Sequence, residues 1–185
     1  MSVCLSCDKP QQSVIPKKGM LDNVISDYLA ELIEKEEFCK LTCTIYYMPP
    51  NAFTYFPYDE AQLMRACAKG KIVIDGEELS KHSELLVRMN STLIAASSDY
   101  DDGTHDFRIH YVFETQKGEI LLRVSMEAWR EKSGKMLWVN KREVEDERAF
   151  FEFLLAFLPE YEKEQLTSYI DGVTQRFKGR PWWAK

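Results

Sequence analysis

The chain has 185 residues, of which 45% are hydrophobic and 12% aromatic, so it carries enough apolar material for a packed domain and is not a disordered chain. Its 30 acidic residues outweigh 24 basic ones, and the net charge of −6 argues against direct binding of nucleic acid or an anionic membrane. No apolar run reaches the roughly 18 residues of a membrane span, and the N-terminus lacks signal-peptide features, so we expect a cytoplasmic protein.

The first nineteen residues contain two prolines and little periodicity, and we predict that residues 1–19 form a loose arm. Residues 20–185 are predicted to form a single α+β domain that ends in a basic, aromatic tail. A helix is predicted from Met20, because apolar residues then recur at intervals of three and four. These residues are Leu21, Val24, Ile25, Tyr28, Leu29, Leu32 and Ile33.

The segment at 41–47 alternates apolar and polar positions with β-branched and aromatic residues, which predicts a strand. Asp59 is a predicted N-cap for a short helix that runs to Ala68. A short strand is predicted at residues 71–74, and a helix at residues 80–90.

Residues 107–139 predict a central antiparallel meander. Apolar residues alternate from Phe107 and again from Ile120, and a two-residue turn at 117–118 would bring the two apolar faces together. The predicted pairs are Ile109 with Met126, Tyr111 with Val124, and Phe113 with Leu122. The same register sets Arg108 opposite Glu127. A second turn at 133–134 would set Trp129 opposite Trp138.

Two helices are predicted after the meander, the first rich in Phe and Leu and ending at Pro159, and the second with an apolar stripe from Leu166 to Phe177. Strands joined by tight turns, with helices grouped at both ends, predict an α+β fold. We expect an antiparallel sheet of about four to six strands with helices packed mainly on one face.

Residues 99–107 place four aspartates and a histidine just before the best predicted strand. The spacing fails as a helix–loop–helix calcium site, because Asp99 and Asp101 fit positions one and three but a glycine falls at position five. Together with Asp102 and Asp106 they are predicted to form a solvated turn, not a metal or catalytic cluster.

Four of the five cysteines have spacings that raise the possibility of a zinc site: Cys4 with Cys7, and Cys39 with Cys43. The second pair falls at the start of a predicted strand, where residues i and i+4 are separated by about 13 Å. We therefore predict reduced thiols, no metal and no cofactor.

His110 is predicted on the outward face of its strand, opposite Ser125 and near Arg108, Arg123 and Glu127. No nucleophile elbow, Cys–His signature or phosphate-binding glycine loop accompanies it. A small hydrolase or transferase that uses His110 or the 99–106 loop is therefore an alternative, and the leading prediction is a protein without catalysis.

An exposed aromatic surface is the most informative functional signal, because aromatic side chains anchor protein interfaces. We predict partner contacts at Trp129, Met136 and Trp138 and long-range attraction from Asp99, Asp101, Asp102 and Asp106. The predicted partner is a basic protein, such as a toxin that this chain would neutralise as an immunity protein or inhibitor. A binder of an apolar small molecule, held between sheet and helices, is a further alternative.

Overall fold

The computed structural model describes residues 27–91, 105–127, 136–143 and 147–176. The helices are α1 (Asp27–Glu34), α2 (Glu60–Ala66), α3 (Gly76–Ser80), α4 (Ser83–Asn90), α5 (Arg148–Phe157) and α6 (Glu160–Arg176), with a 3₁₀ turn at Phe38–Lys40. The strands are β1 (Leu41–Tyr47), β2 (Ile72–Ile74), β3 (Phe107–Thr115), β4 (Ile120–Glu127), β5 (Leu137–Val139) and β6 (Arg142–Glu143). They form an antiparallel sheet in the order β2-β1-β3-β4-β5-β6, which confirms the predicted α+β class.

The main core lies between one face of the sheet, here called the first face, and the helices α1, α3, α4, α5 and α6. Tyr111 and Phe113 project from β3 onto Phe153 of α5, with ring centroids 5.6 and 5.2 Å from it. The Tyr111 hydroxyl donates to the Phe150 carbonyl at 3.2 Å. The apolar stripes predicted for these elements therefore meet as expected, and most helices do lie on one face. None of the helices in the described ranges is long and apolar enough to cross a membrane.

The β3–β4 hairpin has the predicted register but a different turn. Ile109 pairs with Met126, Tyr111 with Val124, and Phe113 with Leu122. The Thr115 amide donates to the Glu119 carbonyl at 2.9 Å, which closes a loop of three residues, 116–118. Gly118 has φ 78°, in the left-handed region that glycine tolerates. An extra residue at Leu121 shifts the register between Phe113 and Glu114, and this bulge restores the pairs that a two-residue turn would have made.

A second bulge lies near the start of β3, and it makes the pairing predicted there wrong. Phe107 pairs with Glu127 while Ile109 pairs with Met126, so Arg108 is an extra residue and does not face Glu127. The side chain of Phe107 consequently lies on the opposite face from Ile109, and it packs with Leu63 and Trp138. This opposite side of the sheet is here called the second face.

Strand β5 also differs from the prediction, because Trp138 pairs with Ser125 and not with Trp129. Trp129 and the predicted turn at 133–134 lie outside the described residues, as does the segment at 1–19. Met136 precedes β5 and joins the main core, so it does not share the second face with Trp138 as expected.

We predict that Leu122→Ala lowers the free energy of unfolding by about 2–5 kcal/mol, because the side chain is fully buried and its removal leaves a cavity. Ile120 is a matched control on the same strand, 43% exposed, and Ile120→Ala should cost no more than about 1 kcal/mol. Denaturant unfolding of both variants measures the difference. Equal losses for the two would contradict the packing described here.

Candidate functional site

Helix α2 covers part of the second face. Asp59 caps it, since its side chain accepts from the Gln62 amide while the Gln62 side chain accepts from the Asp59 amide. Leu63 points from this helix onto Phe107 and Trp138 and is fully buried. Polar residues that the sequence placed on a solvated outer face are therefore buried beneath or beside α2.

One buried polar chain joins β3, β4 and α2. The His110 Nδ1 atom lies 2.9 Å from the Ser125 hydroxyl, which donates to Glu60 Oε1 at 2.7 Å. The imidazole ring and the hydroxyl are enclosed, since His110 and Ser125 are each 1% exposed. Serine has one proton to donate and an ionised carboxylate only accepts, so His110 must donate through Nδ1–H. The lone pair of this neutral imidazole is then on Nε2.

The protonation behaviour of His110 follows from its surroundings. Burial lowers the pKa of the imidazole and Arg123 adds to this lowering, while Glu60 acts in the opposite direction. The ring is thus a neutral acceptor at neutral pH. In a nucleophilic triad the imidazole would receive the serine proton, whereas here Ser125 gives its proton to Glu60. The Nε2 atom can accept a hydrogen bond or a proton, but the arrangement does not activate Ser125.

A cavity of about 250 Å³ opens beside α2, and His110 lies in its wall together with Glu60 and Met64 of the covering segment. This space, here called the α2 cavity, is also lined by Glu114 of β3 and Arg123 of β4. The predicted proximity of His110, Arg123 and Ser125 is confirmed, whereas Glu60 and the cavity were not predicted from the sequence.

A second buried group surrounds Glu127, which is 2% exposed. One of its oxygens lies 2.5 Å from His105 Nδ1, and the other accepts from the Trp138 indole nitrogen at 3.0 Å. His105 stacks on Phe107 with ring centroids 5.2 Å apart. His105 was predicted in a solvated turn and is instead 6% exposed, held by a carboxylate that the predicted register had assigned to Arg108.

Arg108 and Asp106 form a third group at the edge of the second face. The guanidinium donates to both Asp106 oxygens at 2.7 and 2.6 Å and to the Thr54 hydroxyl at 3.1 Å. Asp106 also accepts from the Tyr58 amide at 3.1 Å. Asp106 is therefore an anchoring residue at the start of the hairpin, where the sequence predicted a solvated acid.

These contacts hold the base of residues 48–59, here called the aromatic loop. The Met48 amide donates to the Arg108 carbonyl at 2.7 Å, and the Phe107 amide donates to the Tyr58 carbonyl at 2.9 Å. Between these anchors the loop projects three aromatic side chains that are 79–88% exposed. They are Phe53, Tyr55 and Phe56.

The predicted partner-contact residues do not form one surface in the described part of the chain. Met136 and Trp138 are each 3% exposed, so neither side chain offers surface to a partner in this structure. Trp129 and the acids at 99, 101 and 102 lie outside the described residues. The aromatic surface that the structure does expose is on the loop after β1, which was not among the predicted contact sites.

Cys43 lies in the main core, and burial raises the pKa of its thiol well above the usual range. Cys39 is exposed and Cys67 is half-buried, and neither forms a disulfide with another cysteine of the described ranges. Cys4 and Cys7 fall outside the described residues. Within the described ranges, no three His, Cys, Asp or Glu side chains are arranged to hold a metal ion.

Comparisons with protein-family models, curated proteins and solved structures found no match to this chain.

We predict that His110 makes stability depend on pH. The unfolded chain binds a proton on this histidine as the pH falls through about 6.5, whereas the buried imidazole resists protonation until lower pH. The native state then holds fewer protons, so the free energy of unfolding falls across this window and stability is regained as the pH rises. His110→Asn keeps a donor toward Ser125 and removes this titration. The free energy of unfolding should fall more steeply for wild type than for the variant between neutral and mildly acid pH. Parallel pH profiles would contradict the buried neutral ring.

Proposed function

We propose that this chain is a non-catalytic protein-interaction domain that presents the aromatic loop to a basic partner protein. The observation that carries the proposal is the exposure of Phe53, Tyr55 and Phe56 on a loop whose base is anchored by Arg108 and Asp106. Large exposed apolar surfaces on a folded domain are characteristic of binding sites, and aromatic residues dominate the energetics of protein interfaces.

Anchoring supports the proposal through the cost of binding. A loop that is ordered only on association loses conformational freedom at that moment, and this loss weakens the complex. Here Thr54 and the amide of Tyr58 are already hydrogen-bonded to the Arg108–Asp106 pair. Phe53 and Tyr55 also contact each other edge to face, with centroids 5.5 Å apart. The loop that carries the three rings is thus anchored before a partner arrives.

Charge around the loop supports a basic partner. A groove of about 440 Å³ runs from Asn51 of the loop to α6, where it is bordered by Tyr161 and Glu164. Tyr161 is 67% exposed, and Glu164 contributes a carboxylate to the same groove. Acidic rims attract basic partners and raise the rate of association. An inhibitor or immunity protein that neutralises a basic toxin is the finer form of this proposal, and it rests on this charge and on the net charge of −6.

The apolar-ligand alternative has less support. The layer between the first face and its helices is occupied by side chains such as Phe113, Leu122 and Phe153, all fully buried and packed against one another. A ligand would have to displace this packing.

The test compares wild type with the triple variant Phe53→Ser/Tyr55→Ser/Phe56→Ser in affinity capture from the organism's own extract, followed by purification of the captured protein. We expect a basic partner whose affinity for the triple variant is lower by at least about a hundredfold, the scale of two strong interface residues. Its association with wild type should slow as salt is raised.

The matched control is Val73→Thr/Val87→Thr, which changes two apolar residues that are 56% and 54% exposed elsewhere on the molecule. It should bind like wild type, and melting temperatures of all three proteins should agree closely. A captured protein that binds the triple variant equally well would refute the proposal. Sedimentation with neutral phospholipid vesicles that depends on the three aromatic residues would also refute it, because the loop would then be a membrane-binding element.

A further inference from the structure

The α2 cavity is separate from the aromatic loop and has no role in the proposed partner surface. Its volume of about 250 Å³ lies below the range of about 300–1,000 Å³ that is typical of sites for drug-sized molecules. A metabolite of modest size would fill it. The cavity combines apolar walls, from Met64, Val112 and Ile120, with charged groups of both signs.

Two of those charged side chains have no partner of opposite sign within the described residues. Glu114 and Arg123 line the same cavity, yet neither side chain makes an ion pair or a hydrogen bond there. Both belong to the central strands, which hold their backbones firmly, and Arg123 pairs across the ladder with Val112. An acid and a base held in one cavity without pairing are complementary to a ligand that carries both charges.

His110 supplies a third polar group. Its Nδ1–H is committed to Ser125, and the Ser125–Glu60 hydrogen bond fixes this direction. The remaining nitrogen, Nε2, is an acceptor on a side chain that borders the cavity and is 1% exposed overall. An acceptor oriented by two further hydrogen bonds is suited to a ligand N–H or O–H donor.

We infer that the α2 cavity binds a small zwitterion, an amino acid with a neutral aliphatic side chain. The carboxylate pairs with the Arg123 guanidinium. The ammonium lies among His110 Nε2 and the carboxylates that border the cavity, Glu60 and Glu114. The aliphatic group packs on Met64 and Val112. Mixed charge distinguishes this ligand class from a simple anion, which the two carboxylates would repel.

The test uses the full chain with isotope-labelled histidine and arginine, titrated with L-leucine while the imidazole and guanidinium nitrogen resonances are recorded. Two further probes each lack one charge of leucine: 4-methylpentanoate carries only the carboxylate, and isoamylamine only the ammonium. We expect saturable shifts of the His110 and Arg123 signals with L-leucine, and an affinity at least about tenfold above that for either single-charge probe.

Variants then locate the site. Arg123→Gln and Glu114→Gln should each weaken L-leucine binding by at least about tenfold. Arg65→Gln and Glu84→Gln are matched controls, since they remove the same charges from exposed positions outside the cavity and should leave binding unchanged. Melting curves verify that each variant is folded.

Absence of saturable binding by L-leucine would overturn the inference. So would an equal affinity for 4-methylpentanoate, because the site would then recognise only a carboxylate. Binding that survives both cavity substitutions would overturn it as well. None of these results bears on the aromatic loop, so the partner-binding proposal stands or falls separately.

Discussion

The extra residue at Arg108 in β3 is the constraint on which the second face depends. Side chains of a strand alternate between faces with a period of two, so one inserted residue exchanges the faces of everything that precedes it. Phe107 is thereby turned away from the main core and toward Leu63 and Trp138. Arg108 itself faces no residue of β4 and directs its guanidinium at Asp106 and Thr54. The packing beneath α2 and the anchoring of the aromatic loop therefore both depend on this bulge.

The two faces of the sheet are stabilised by different physics. The first face is an apolar layer that contains Tyr111, Phe113 and Phe153. Its contribution to stability scales with the apolar area that is removed from water. The second face buries polar groups, and each of these needs a partner because an unsatisfied buried donor or acceptor is costly. Strand β4 supplies two of the central partners, Ser125 and Glu127, to histidines on β3 and on the segment before it. Such networks specify one arrangement closely, since a shifted register would leave several groups unsatisfied at once.

Local patterns predicted the strands and the main core well. Strand β1 and the pairs of the β3–β4 hairpin follow from period-two alternation, and Asp59 follows from capping chemistry. The hairpin turn was wrong by one residue, and the register was still right because the bulge at Leu121 compensates. The bulge at Arg108 leaves no local trace, since an added residue does not alter the types of its neighbours. The docking of α2 on the second face is a long-range event. The sequence signal for this docking was an apolar residue on the short helix, Leu63, together with two apolar residues among polar neighbours on the strands, Val112 and Trp138.

The aromatic loop is fastened mainly through its backbone. Its anchors are the amides of Met48 and Tyr58 and the carbonyl of Tyr58, and the side chains of Thr54 and Met48 add contacts to the Arg108 guanidinium. Backbone groups persist through most substitutions, whereas side-chain anchors do not. Residues at the tip can therefore be exchanged without loosening the loop, and the fold would tolerate such changes at little cost to stability. Under the partner-binding proposal, variation at positions 53, 55 and 56 would let a lineage follow a changing partner while Arg108 and Asp106 stayed the same.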